Sequence, residues 1–134
     1  NKIQPHEKNK HKGNETIIYV EDDPSVRKIT KSILNSHGYN VLSIGSPAEA
    51  LEIFKTEIIN ADLLITDVIM PEINGKELAK SFKKKAPLLK VLYTSGYTGE
   101  TISAKGLISS SFNFIQKPYT VKEITKKIRN ILDS

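Results

Sequence analysis

Five short runs rich in Ile, Val, Leu, Tyr and Phe recur along the chain, and this repetition limits the fold more than any other feature. They are Thr16–Glu21, Asn40–Ile44, Asp62–Asp67, Lys90–Ser95 and Phe112–Gln116. Three are almost continuously apolar, as strands covered on both faces must be. The segments between them are long enough for crossover helices, so the strands run parallel. Helix starts are marked locally. Asp23-Pro24 sets a capping side chain before a proline at the first helical position, and Ser46-Pro47-Ala48-Glu49 repeats the device as a capping box. Thr120-Val121-Lys122-Glu123 is a box without proline, Asn74-Gly75-Lys76-Glu77 is a weaker start, and Gly38 closes the first helix. The fourth helix falls within Glu100–Ser110, where Gly106 and the serines after it keep it short of strong signals. The pattern predicts an α/β domain of (βα)5 type. Its five-stranded parallel sheet is doubly wound, with strand order 2-1-3-4-5.

Composition restricts what such a domain can be. Its 134 residues fit one domain. Residues 1–15 hold a single aliphatic side chain, Ile3, among Lys, Asn, His and Glu, and read as a flexible linker or leader before a domain at 16–134. The first residue is Asn rather than Met, which suggests a piece cut from a longer parent. Without cysteine, neither a disulfide framework nor a thiolate metal site is possible. No apolar stretch approaches the ~20 residues that span a bilayer, and no secretory signal is present, so a cytoplasmic module without membrane contact is expected. The net charge of +5 raises the question of nucleic acid. The lysines, however, cluster on helical segments (Lys83, Lys84 and Lys85, then Lys126 and Lys127 with Arg129) without interleaved aromatics. Solvated helix faces or an acidic protein partner fit this better than direct nucleic-acid contact.

In a doubly wound sheet, ligands bind beyond the carboxyl ends of the strands. The residues there are Glu21, Asp22 and Asp23 after strand 1, Asp67 after strand 3, Thr94-Ser95-Gly96 after strand 4 and Lys117-Pro118 after strand 5. Asp23 is accounted for as a helix cap. Adjacent Glu21 and Asp22 at the end of a buried strand repel one another, and a bound cation resolves the conflict. Oxygen ligands without His or Cys favour Mg²⁺, or Mn²⁺, over zinc. Asp67 beside such an ion is a ligand or a nucleophile. A carboxylate can attack phosphorus once charge on the transferring group is neutralised. Lys117 supplies a compact positive charge, and Pro118 can hold a cis bond that aims it inward. Ser95 offers a hydroxyl.

The motifs Val20-Glu21-Asp22-Asp23-Pro24, Asp67-Val68-Ile69-Met70-Pro71 with Asn74-Gly75, Thr94-Ser95-Gly96-Tyr97 and Lys117-Pro118-Tyr119 follow in order. With them, residues 16–132 resemble the receiver domains of two-component response regulators. The wording around Gly13-Asn14-Glu15-Thr16 and Phe114–Tyr119 is similar to C-terminal receivers of hybrid histidine kinases. The resemblance implies that Asp67 is the phosphorylated aspartate and Asp22 the direct metal-binding acid. Glu21 is the acid that helps through water, and the backbone carbonyl of Ile69 is a third ligand. It further implies Ser95, rather than Thr94, as the switch hydroxyl, Lys117 as the phosphoryl contact and Phe114 as the aromatic switch. The implied partner is a histidine kinase or a histidine phosphotransfer domain, with possible self-association through helix 4, strand 5 and helix 5. A receiver of this kind catalyses its own phosphorylation and dephosphorylation. Glu21 replaces the commoner Asp, Phe114 lacks the hydroxyl of the commoner Tyr, and Ile69 puts an apolar group where a polar one could orient water. A slow loss of phosphate is expected from the last. Two rivals are a receiver fold that takes no phosphate and a flavodoxin-like cofactor binder. The acids after strand 1, where such a binder needs a phosphate loop, count against the second.

Overall fold

A computed structural model describes residues 11–56, 60–109 and 111–134. Most of the leader, residues 1–10, lies outside the described residues. The strands are β1 Thr16–Val20, β2 Asn40–Ile44, β3 Leu63–Asp67, β4 Lys90–Ser95 and β5 Phe114–Gln116. They alternate with helices α1 Pro24–Ser36, α2 Pro47–Thr56, α3 Gly75–Lys85, α4 Gly99–Ala104 and α5 Val121–Leu132. All strand pairs are parallel and the order is β2-β1-β3-β4-β5, as the alternation of runs and helix starts predicts.

Side chains alternate across the pleat, so each central strand feeds two cores. Ile18, Val20 and Leu64 pack with Phe54, Leu78, Phe82 and Ile102 on the α2–α3–α4 face. Ile17, Tyr19, Leu63, Ile65 and Leu92 meet Leu34, Ile124 and Ile128 on the α1–α5 face. On the first face the rings of Phe54 and Phe82 stack at 4.1 Å and join α2 to α3.

The caps sit where the sequence marks them. Asp23 accepts from the backbone N–H groups of Ser25 and Val26, Ser46 from Glu49, Asn74 from Glu77, and the Thr120–Glu123 box is reciprocal. Gly38 has φ +97° at the end of α1, a conformation other residues resist. β1 and β3 are each one residue shorter than their apolar runs, ending at Val20 and beginning at Leu63, and β5 and α4 are shortened by more. β5 begins at Phe114 rather than Phe112, because Phe112 turns back to donate its N–H to the Ser109 carbonyl. α4 covers only Gly99–Ala104 and ends in a turn at Lys105–Gly106.

Residues 13–15 are hydrogen-bonded onto the domain. The Gly13 N–H donates to the His37 carbonyl, and the Asn40 N–H donates to the Glu15 carbonyl. The Arg129 guanidinium donates to both carboxylate oxygens of Glu15, at 2.8 and 3.0 Å. That contact holds the Glu15 carboxyl below the usual carboxylate range. A depressed folded-state pKa stabilises above the unfolded value, and the gain is lost as pH falls through the folded one. Glu15→Gln is therefore expected to lower stability at neutral pH by about 0.5–1 kcal/mol. Thermal midpoints of the two proteins should converge under acid conditions; a gap that persists there would assign the effect to packing instead.

Candidate functional site

All five parallel strands end at the same edge of the sheet, and residues at or after the ends of β1, β3, β4 and β5 line a cleft of about 310 Å³ there. Glu21 follows β1 directly and is 1% exposed; its N–H continues the ladder to the Ile44 carbonyl at 3.1 Å. Asp22 is exposed at the mouth. Asp67, the last residue of β3, is buried. Glu21, Asp22 and Asp67 each offer a carboxylate oxygen within 4.8 Å of the others.

Lys117 reaches this group from the loop after β5. Its Nζ lies 2.8 Å from Glu21 Oε1 and 2.7 Å from Asp67 Oδ1, and so links the ends of β1 and β3. The Lys117 N–H donates to the Ser95 carbonyl at 2.7 Å, and the Lys117–Pro118 peptide is cis. Burial pulls the ammonium's pKa down, but Asp67 and Glu21 outweigh it and the net shift is upward, so Lys117 stays charged. Burial, and after it the neighbouring Asp67, push the Glu21 carboxyl above its ordinary range despite Lys117 and the Asp23 N–H. Three carboxylates against one ammonium leave a formal surplus of two negative charges, and the donor set is oxygen alone. Both features suit a hard divalent cation.

Three side chains that hold this arrangement are absent from the sequence reading in these roles. The Thr94 hydroxyl donates to Asp67 Oδ1 at 2.7 Å. Ser95, the expected switch hydroxyl, lines the cleft but accepts the Tyr97 N–H at 3.0 Å and has no bond to Asp67. Thr94 pairs in register with Asp67, and that register is invisible in the sequence. Arg27, in the first turn of α1, donates to the Glu21 carbonyl at 2.7 Å and fixes the acidic turn from below. Its position just inside the helix that follows the acids was a signal open to sequence reading. The Tyr119 hydroxyl pairs with Thr30 of α1 at 2.9 Å and ties down the segment after Pro118. Ile69 lines the cleft and is 44% exposed, while Phe114 lies outside it, half-buried against Gly99 at the start of α4.

Gly75 sets the depth of Asp67. Its N–H donates to the Val68 carbonyl at 2.8 Å, and a Cβ there would lie far inside contact distance of the Asp67 carbonyl oxygen. The obstacle is backbone, which cannot step aside. Gly75→Ala is expected to destabilise the domain by about 1–3 kcal/mol. An unchanged denaturation midpoint would contradict this close approach.

Comparison with known proteins gives the arrangement a family. Residues 17–129 match the response regulator receiver domain family. The chain belongs to that family. The receiver is 31% identical over 121 residues to the sensor kinase CckA of Brucella abortus, covering 90% of this chain and 13% of that protein. It is 34% identical over 121 residues to histidine kinase P4 of Formosa agariphila, covering 89% of this chain and 9% of that protein. It is 30% identical to a probable transcriptional regulator, ycf27, of Porphyridium aerugineum, with 88% and 48% covered. The chain thus spans half or less of the length of these relatives. Among solved structures, the receiver domain of the hybrid histidine kinase CckA superposes with TM-score 0.72 at 32% identity, covering 87% of this chain and 98% of that one. A CheY-like receiver from Methanospirillum hungatei gives 0.76 at 28%, covering 90% and 95%. Among the described residues no helix is long and apolar enough to cross a membrane.

Proposed function

We propose that this receiver takes a phosphoryl group on Asp67 from a phosphohistidine of a histidine kinase or histidine phosphotransfer domain. The observation that carries the reading is the position of the Lys117 ammonium, shared between Asp67 and Glu21 with Asp22 within reach. Glu21, Asp22 and Asp67, with the Ile69 carbonyl, would hold Mg²⁺ or Mn²⁺. When bound, the ion neutralises charge on the transferring phosphoryl oxygens.

An Asp67 carboxylate oxygen attacks phosphorus in line, the P–N bond to the donor imidazole breaks, and the imidazole leaves with the electron pair and takes up a proton. Lys117, already an ammonium, keeps its proton and follows the new negative charge. Thr94 holds Asp67 in one rotamer for the attack. The Ser95 oxygen accepts the Tyr97 N–H, which leaves its own proton free to donate to a phosphoryl oxygen, and movement of Ser95 toward that oxygen pulls on the turn into α4. Phe114 then repacks beside Gly99, and the α4–β5–α5 surface changes, with self-association there as one output. The ligand must favour one of two existing packings for this to work.

Incubation with acetyl phosphate and Mg²⁺, followed by intact-mass measurement, should give one phosphoryl adduct that fails to form with EDTA. No adduct under these conditions, with none from a phosphorylated histidine phosphotransfer domain either, would leave a receiver fold without phosphate chemistry. Ile69 presents no polar group to an attacking water, so the adduct should be long-lived; a half-life of seconds would refute this.

A further inference from the structure

The second cleft worth attention lies on another part of the surface and shares no lining residue with the acidic one. It is a groove of about 850 Å³ between α3 and the β4–β5 side of the sheet. One wall is a file of exposed lysines on α3: Lys76, Lys80, Lys83 and Lys84. Their spacing places them along one helix face. Among the described residues none of the four has an ion pair or a side-chain hydrogen bond, whereas the Nζ of neighbouring Lys85 donates to the Phe54 and Lys55 carbonyls. No Asp or Glu lines the groove. The rest of its surface is largely apolar. Leu88 is 92% exposed at the rim, and Val91 and half-buried Phe112 lie deeper.

A merely solvated basic face has no need of a concave apolar floor beside it. We propose that this groove docks an acidic amphipathic segment of a partner protein, with carboxylates against the α3 lysines and aliphatic side chains on Leu88, Val91 and Phe112. Charge complementarity selects the occupant, and the apolar floor selects a peptide over a polyanion. Nucleic acid is the weaker fit. The Phe112 ring stacks on Tyr93 at 5.4 Å, so one face is occupied, and the groove presents no row of free rings for bases.

The test uses a synthetic amphipathic peptide with Glu at its polar positions and Leu at its apolar ones, titrated into isotope-labelled receiver. Amide shifts should concentrate in Lys76–Leu89 and Ser111–Asn113, and binding should weaken with added salt. Lys76→Glu with Lys80→Glu should weaken it by about tenfold or more, since like charges then face each other. Leu88→Ser, at a site too exposed to disturb folding, should weaken it as well. Lys122→Glu with Lys126→Glu, an equal charge change on α5, should leave affinity unaltered. The proposal is overturned if the peptide does not bind, or if the α5 variant loses as much as the groove variant. Equal or tighter binding by a Leu-free poly-Glu peptide, a single-stranded oligonucleotide or anionic phospholipid vesicles would overturn it too.

Discussion

Asp67→Asn should take up no phosphoryl group from acetyl phosphate and Mg²⁺ over a period in which the wild-type receiver is fully labelled. The amide has nearly the carboxylate's shape, and its carbonyl oxygen can still accept the Thr94 hydroxyl, so local packing survives. Only the nucleophilic charge is gone. The substitution also removes one of two acids that crowd each other, because Asp67 is among the causes that raise the Glu21 carboxyl. Lys117 would then form an ion pair with Glu21 alone, although the amide oxygen that accepts from Thr94 would still lie within its reach. Thermal stability should accordingly hold or rise, within about 1 kcal/mol. A labelled, folded Asp67→Asn protein would show that another side chain is the acceptor. An unfolded one would show that the charge supports the fold, contrary to the arrangement described.

Lys117→Met should slow labelling by about 10²–10³-fold, the usual loss when a preorganised donor to a developing charge is removed. The methionine keeps most of the stem's volume and deletes the ammonium. Glu21, 1% exposed, would then keep only the Asp23 N–H among the contacts to its carboxylate described above. Lys117→Arg is the discriminating companion. It keeps the charge, but its planar fork cannot occupy the point between Glu21 and Asp67 that Nζ fills, so rescue should be partial. If Met and Arg lose rate equally while both fold, geometry matters more than charge; if neither loses rate, Lys117 does not touch the phosphoryl group. Because these experiments use a small phosphodonor, they read the chemistry of this domain separately from any partner's. That separation matters for a domain whose curated relatives include kinases of which it covers only a small share.

Much of this could be read before any coordinates. Buried parallel strands need apolar side chains on both faces, so Ile17 and Ile18 in β1 and Leu63, Leu64 and Ile65 in β3 announce themselves as unbroken apolar runs. Caps are local, so Asp23, Asn74 and Thr120 mark their helices by side chains that bond within three residues. Strand ends follow from both, and they placed Glu21, Asp22, Asp67 and Lys117 on one edge. Where local signals are poor the bounds were less legible, although a helix does form in the expected stretch after Tyr97. Short α4 and the late start of β5 go with turns, where the Gly106 N–H returns to the Ser103 carbonyl and the Phe112 N–H to the Ser109 carbonyl.

By itself the sequence determined the order of elements, the two-sided core and the convergence of acids with a lysine, because each is written in periodicity or in neighbours along the chain. Tertiary structure alone decided that Lys117 bonds Glu21 across 96 residues, that Thr94 and not Ser95 holds Asp67, and that Arg129 grips Glu15. Those contacts depend on strand register and on where crossover helices land. They are set by packing between distant segments, which no local pattern encodes.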